Sequence, residues 1–135
     1  MKKAGFCGLV IACMLLMSGC ALASQEKIKL RDLDFTVLSQ EMIPEQLLPI
    51  LEEKKASAFQ ITYTDNANLY ICVGYGEQET GGYSIAVDDL YLTEENIVID
   101  TSLLGPEPSD RENAQPSCPI IVVKTEYLEQ TVTFE

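Results

Sequence analysis

From Phe59 to Phe134 the apolar residues of this chain recur at every second position, and that period leaves little choice of fold. Phe59, Ile61 and Tyr63 alternate with polar neighbours, and Leu69, Ile71, Val73 and Tyr75 follow after the turn residues Asp65-Asn66-Ala67-Asn68. Tyr83, Ile85 and Val87 read as a further strand. Asp88-Asp89 interrupts before Leu90-Tyr91-Leu92, and Glu94-Glu95-Asn96 turns the chain into Ile97 to Thr101. Ile120 to Tyr127 is rich in β-branched residues, and Val132 with Phe134 forms a last short strand. Upstream, Leu33, Phe35 and Val37 give a first strand. Helical spacing occurs once, where Leu47, Leu48, Ile50 and Leu51 follow Ile43-Pro44-Glu45-Gln46. Pro49 falls inside that pattern, so a kink or break is expected near Leu48. About seven strands and one N-terminal helix predict a mainly β (α+β) domain, an antiparallel β-sandwich or open barrel. The stretch from Leu104 to Pro119 is its one long loop.

The first residues have a different character. Lys2 and Lys3 precede an apolar run from Phe6 to Met17, too short for a spanning helix and suited to a signal peptide. Leu15-Leu16-Met17-Ser18-Gly19-Cys20 resembles the lipobox of bacterial lipoproteins, with Met17 standing where leucine is usual. The expected organisation is a signal peptide over residues 1–19, lipidated Cys20 with a tether over 20–29, and one domain over 30–135. The resemblance implies a diacylglyceryl group and a palmitate-type acyl chain on Cys20, at the extracytoplasmic face of the cell membrane. Two acyl chains hold a protein at a bilayer where one is marginal. The tether extends to about 30 Å at most.

Charge narrows the partners. The chain carries a formal net charge of −12, and loss of Lys2 and Lys3 makes it more negative by two. Such a body has no footprint for nucleic acid and is repelled by anionic lipid headgroups, so contact with the membrane falls to the lipid anchor alone. Of five cysteines, Cys7 and Cys13 leave with the signal and Cys20 takes the lipid. Cys72 and Cys118 remain, either as a disulfide or as two separate thiols.

The chain has no histidine, which removes Ser-His-Asp and Cys-His catalysis and leaves two cysteines as a poor zinc set. No calcium-loop spacing occurs. The expectation is a non-enzyme with no catalytic residue, metal or cofactor. Gly76-Glu77-Gln78-Glu79-Thr80-Gly81-Gly82 has the glycine spacing of a phosphate loop. However, Gly82-Tyr83 replaces the lysine and hydroxyl residue, the glutamates repel phosphate, and a strand follows where a helix is required. What remains is a glycine-rich connection, read as a hairpin loop needing positive φ.

Tyr75-Gly76-Glu77-Gln78, Thr80-Gly81-Gly82-Tyr83-Ser84-Ile85, Leu104-Gly105-Pro106 and Cys118-Pro119-Ile120-Ile121-Val122-Val123-Lys124 resemble the C-terminal domain of PrcB-type protease complex subunits. The resemblance covers residues 33–135. It implies a non-catalytic accessory protein that binds or stabilises an extracytoplasmic protease complex. Thr80-Gly81-Gly82-Tyr83 is also similar to the protease-binding loop of chagasin-like inhibitors, which have an immunoglobulin-like fold; the alternative expectation is such an inhibitor. Either way the contact surface is expected at Tyr75, Gly76, Glu77, Gln78, Thr80, Gly81, Gly82 and Tyr83, since tyrosines are enriched at protein contacts. The lipobox generates a direct test. Cys20→Ser is expected to abolish incorporation of a fatty-acid analogue and to move the protein out of the membrane fraction.

Overall fold

A computed structural model describes residues 28–107 and 115–135 of the chain. The segment expected to be a signal peptide, Cys20 and most of the expected tether lie outside these residues, as does the middle of the long loop. Eight strands form two four-stranded sheets: β1 (Arg31–Asp32), β2 (Phe35–Val37), β3 (Ala58–Thr64), β4 (Asn68–Tyr75), β5 (Ser84–Leu92), β6 (Asn96–Leu104), β7 (Ile120–Glu126) and β8 (Thr131–Phe134). One sheet has the order β1-β5-β6-β8 and the other β2-β7-β4-β3. Neighbours are antiparallel except β6 and β8, which run parallel. The sandwich expected from the period is present, with one parallel pair.

The strand read over Leu33–Leu38 shortens to β2, Phe35–Val37, and a separate strand, β1, precedes it at Arg31–Asp32. β1 pairs with β5 in one sheet and β2 with β7 in the other, so the chain crosses between sheets at Leu33-Asp34. Leu33 is buried in the core at the crossing, and its amide donates to the Leu90 carbonyl at 3.0 Å. The Thr125 hydroxyl donates to the Asp34 carbonyl at 2.8 Å, so the bend leaves that acceptor satisfied. The Asp88-Asp89 interruption is a shift of register inside a continuous β5, between Val87 and Asp89.

Leu69, Ile71, Val73, Ile121 and Val123 of one sheet pack on Leu90, Leu92, Ile97 and Ile99 of the other. These are the alternating positions that carried the period. A second apolar layer lies on the far side of β4 and β7, where Tyr70, Cys72 and Val122 meet Leu38, Leu47 and Leu51. Helix α1 (Leu48–Lys54) provides that cover. Pro49 occupies its first turn, where the missing amide costs nothing, and the preceding residues form separate turns. The expected break at Leu48 is therefore the start of the helix.

Gly74 lies where β3 and β4 are clamped together. A Cβ there would come within 2.7 Å of Cδ1 of Phe59, its cross-strand partner, so the ring covers the bare backbone. Gly74→Ala is expected to cost about 1–3 kcal/mol through overpacking. Thermal unfolding of Gly74→Ala, Phe59→Ala and the double variant should show the double loss falling short of the sum.

Candidate functional site

The glycine segment leaves β4 and enters β5, strands that belong to different sheets. It is thus a crossover between sheets, and the hairpin reading is corrected: the alternation of the flanking strands reports their faces and not which strands pair. Two of its glycines hold positive φ, Gly76 at 78° and Gly82 at 84°, whereas Gly81 does not. Gly76 is also confined, since a Cβ would stand 3.0 Å from the Ala58 amide nitrogen. Gly81 faces open space.

The segment is tied down along its first half. The Glu77 amide donates to the Ala56 carbonyl at 3.2 Å. Gln78 and Ser117 exchange backbone hydrogen bonds at 2.7 and 3.1 Å, an isolated antiparallel bridge to the end of the long loop. The Gln78 side-chain amide donates to the Tyr75 and Gly76 carbonyls at 3.2 and 3.4 Å, and the Ser117 hydroxyl donates to the Thr80 carbonyl at 2.7 Å. Gln78 is therefore an architectural residue within the candidate surface. Ser117 escaped sequence reading altogether, because a serine in a proline-rich loop carries no signal of what it will bond.

The tyrosines also divide. Tyr75 packs against the core, and its hydroxyl pairs with the Thr101 hydroxyl at 2.7 Å. Tyr83 is half-buried, its ring 3.8 Å from where a Cβ on Gly105 would stand. Glu77, Glu79 and Gly82 are the exposed members of the segment, and Thr80 and Gly81 are half-buried. The structure brings the quoted residues together in sequence order around one crossover, but it presents an acidic rim in place of an aromatic one.

Cys72 and Cys118 are both free. Of the two arrangements open to them, the separate thiols are the one observed, and the register explains it. Cys72 pairs with Val122, four residues beyond Cys118. At about 3.3 Å per residue this separates them by roughly 13 Å, against an upper limit near 7 Å between bridged Cα atoms. Burial pushes the Cys72 thiol up to about 12. Cys118 is half-buried beside a cavity of about 370 Å³ between α1 and β7, lined by Leu38, Ile43, Leu48, Leu51 and Ile120. Among the described residues no group of three His, Cys, Asp or Glu side chains could hold a metal ion.

Residues 69–126 match the family described as PrcB C-terminal. Over that span the chain belongs to the PrcB C-terminal family. The PrcB C-terminal span runs from β4 to β7 and therefore supplies all four inner strands, β4 and β7 of one sheet and β5 and β6 of the other. The glycine crossover lies within it. The four edge strands and α1 lie outside it. No curated protein and no solved structure matches the chain.

Three measurements follow from this geometry. Gly82→Val is expected to cost about 1–2 kcal/mol, the penalty of left-handed backbone for an L-residue, while Gly81→Val is close to neutral. Melting temperatures of the two variants separate them. Mass mapping after thiol labelling near pH 8 should find Cys118 modified in the native domain and Cys72 modified only on unfolding, because the buried thiol stays neutral. Asp65 accepts from the Ala67 and Asn68 amides and from the Tyr70 hydroxyl, and the backbone bonds hold its carboxyl below the usual range. Its contribution is present above the unfolded pKa, about 3.9, and is lost as pH falls through the lower folded value. Asp65→Asn should therefore flatten the acid limb of a stability-versus-pH curve below about pH 4.

Proposed function

We propose that this protein is a membrane-tethered, non-catalytic accessory subunit that binds and stabilises an extracytoplasmic protease complex. The observation that carries the reading is membership of the PrcB C-terminal family over the four inner strands, the part of the sandwich that any function has to be built on. The lipobox before Cys20 supports an address at the outer face of the cell membrane, and the polar tether keeps the domain near that surface. The glycine crossover is the contact surface within the family span. Its first half is held by the Gln78–Ser117 bridge, and it presents Glu77, Glu79 and Gly82 to solvent. Preorganised surfaces bind without the cost of ordering a loop, which suits a permanent subunit.

The bonding at the crossover sets the choice of variants. Gln78→Ala removes two hydrogen bonds to the backbone and is expected to loosen the segment. Glu77→Lys is the clean probe, because only the Glu77 backbone is used in the fold. Deletion of the gene is expected to lower the amount and activity of a membrane-associated protease, and detergent-solubilised wild type should retain that protease on affinity capture. Glu77→Lys should weaken capture at unchanged melting temperature. Unaltered protease level and activity after deletion would refute the accessory role. Inhibition of a purified cysteine protease by the wild-type protein would replace it with the chagasin-like reading.

A further inference from the structure

The four strand edges of the sandwich are protected unequally. β1 is a two-residue strand made of Arg31 and Asp32, β2 has three residues with Asp34 just before it, and β8 has four. β3 has seven residues, Ala58-Phe59-Gln60-Ile61-Thr62-Tyr63-Thr64, without a charge or a proline. Its pairing with β4 runs unbroken from Ala58–Tyr75 to Thr64–Leu69, so no bulge twists it away. Natural edge strands are short, charged, proline-containing or bulged, because an exposed row of N–H and C=O groups pairs with any compatible strand. β3 uses none of these devices, in a chain of which 22% is charged. It also lies outside the family span, so its character is a property of this chain and not of the inner four strands.

The space beside β3 suits an added strand. Gln60, Thr62 and Thr64 lie in register with Val73, Ile71 and Leu69 and so share the sandwich side, yet they are exposed. A cleft of about 560 Å³ opens there, bounded by Ala58, Gln60, Val73, Tyr75, Thr101 and Glu135. On the other side Phe59, Ile61 and Tyr63 form a half-buried apolar row that continues the layer under α1. A strand laid along β3 therefore finds an apolar row on one face and a polar row on the other.

Charge selects the occupant. The chain has a net charge of −12 and a pI near 4.3, so pairing β3 with β3 of a second copy brings two equally acidic bodies into contact. Carboxylates stand at both ends of the strand: Glu77, whose amide binds Ala56, and Asp65 directly after Thr64. Lys55, before the strand, is already paired with Glu52. We propose that β3 accepts an extended segment of a partner protein as a fifth strand, with alternating apolar and small polar residues and with lysine or arginine at its ends. Backbone hydrogen bonds supply the binding and the two rows of side chains supply the register. The inference rests on the reading of a partner-binding protein, but it does not require the partner to be a protease.

The test uses the processed protein and three synthetic peptides: alternating threonine and valine flanked by lysine pairs, the same core flanked by glutamates, and a lysine-flanked core with prolines at alternate positions. Amide hydrogen exchange along the chain is the readout. The lysine-flanked peptide should slow exchange in β3 about tenfold or more at saturation, while the other two leave it unchanged. Gln60→Lys combined with Thr62→Lys should weaken binding of that peptide about tenfold at unchanged melting temperature. Unchanged β3 exchange at millimolar peptide overturns the proposal, as does protection that maps elsewhere or equal binding of the glutamate-flanked peptide. Protection of β3 that appears in the free protein as its concentration rises assigns the edge to a second copy instead. Loss of protease capture in cells with intact peptide binding refutes the protease role and leaves this surface standing; the converse result does the reverse.

Discussion

The burial of β4 on both faces is the constraint from which the rest of the architecture follows. Leu69, Ile71 and Val73 press into the opposing sheet, while Tyr70 and Cys72 on the reverse side are covered by the layer under α1. A strand with two apolar faces cannot sit at the outside of a simple two-layer sandwich, because one face would lie in water at about 25 cal/mol per Å² of apolar surface. A third layer is thus required, and the short helix with Leu38, Leu47 and Leu51 provides it. A strand buried on both faces is also a near-continuous apolar run, as Leu69-Tyr70-Ile71-Cys72-Val73 is.

That constraint accounts for how the remaining elements are distributed. The inner strands β4 and β7 need partners on both flanks, and the chain supplies them from its N-terminal part as β3 and β2. The opposing sheet is completed by β1 and β8, each of four residues or fewer. The glycine crossover connects the two sheets at the end of β4, so its geometry is set by the sandwich before any partner is considered. Gly76 must turn where the backbone of Ala58 leaves no room for a Cβ, and Gln78 with Ser117 then fastens the segment to the approach of β7. The exposed remainder is acidic, in keeping with the charge of the whole chain. A surface of this kind steers toward cationic partners and away from phosphates and anionic headgroups.

The thiols illustrate how strand register decides chemistry that composition leaves open. Two cysteines in one domain leave a disulfide open by composition, but a side chain can bridge only to what the ladder sets beside it. Val122 is the neighbour of Cys72, and Cys118 lies well past the end of the pairing. Cys72 consequently behaves as a small apolar residue of the second core layer.

Much of the fold was legible in the chain because alternation is a local property. Each run from Phe59 to Phe134 announced a strand and its apolar face, Asp65 announced its turn through side-chain bonds to nearby amides, and Pro49 announced a helix boundary. The absence of histidine and the acidity narrowed the chemistry by composition alone. Which strands pair, and across which gap, is not local. Leu33 to Leu38 read as one strand because its apolar spacing is continuous, yet the strand itself is Phe35–Val37 and Leu33 stands at the crossing from β1 in the other sheet. The glycine segment read as a hairpin because its flanks alternate, yet they lie in different sheets. Tyr75 and Gln78 read as contact candidates, with the direction of the Tyr75 ring left open, and only the tertiary structure turned one to Thr101 and spent the other on the backbone. The sequence by itself determined the elements and their apolar faces, through side-chain periodicity. Tertiary structure alone decided pairing, edge and exposure, since those depend on contacts between residues far apart in the chain.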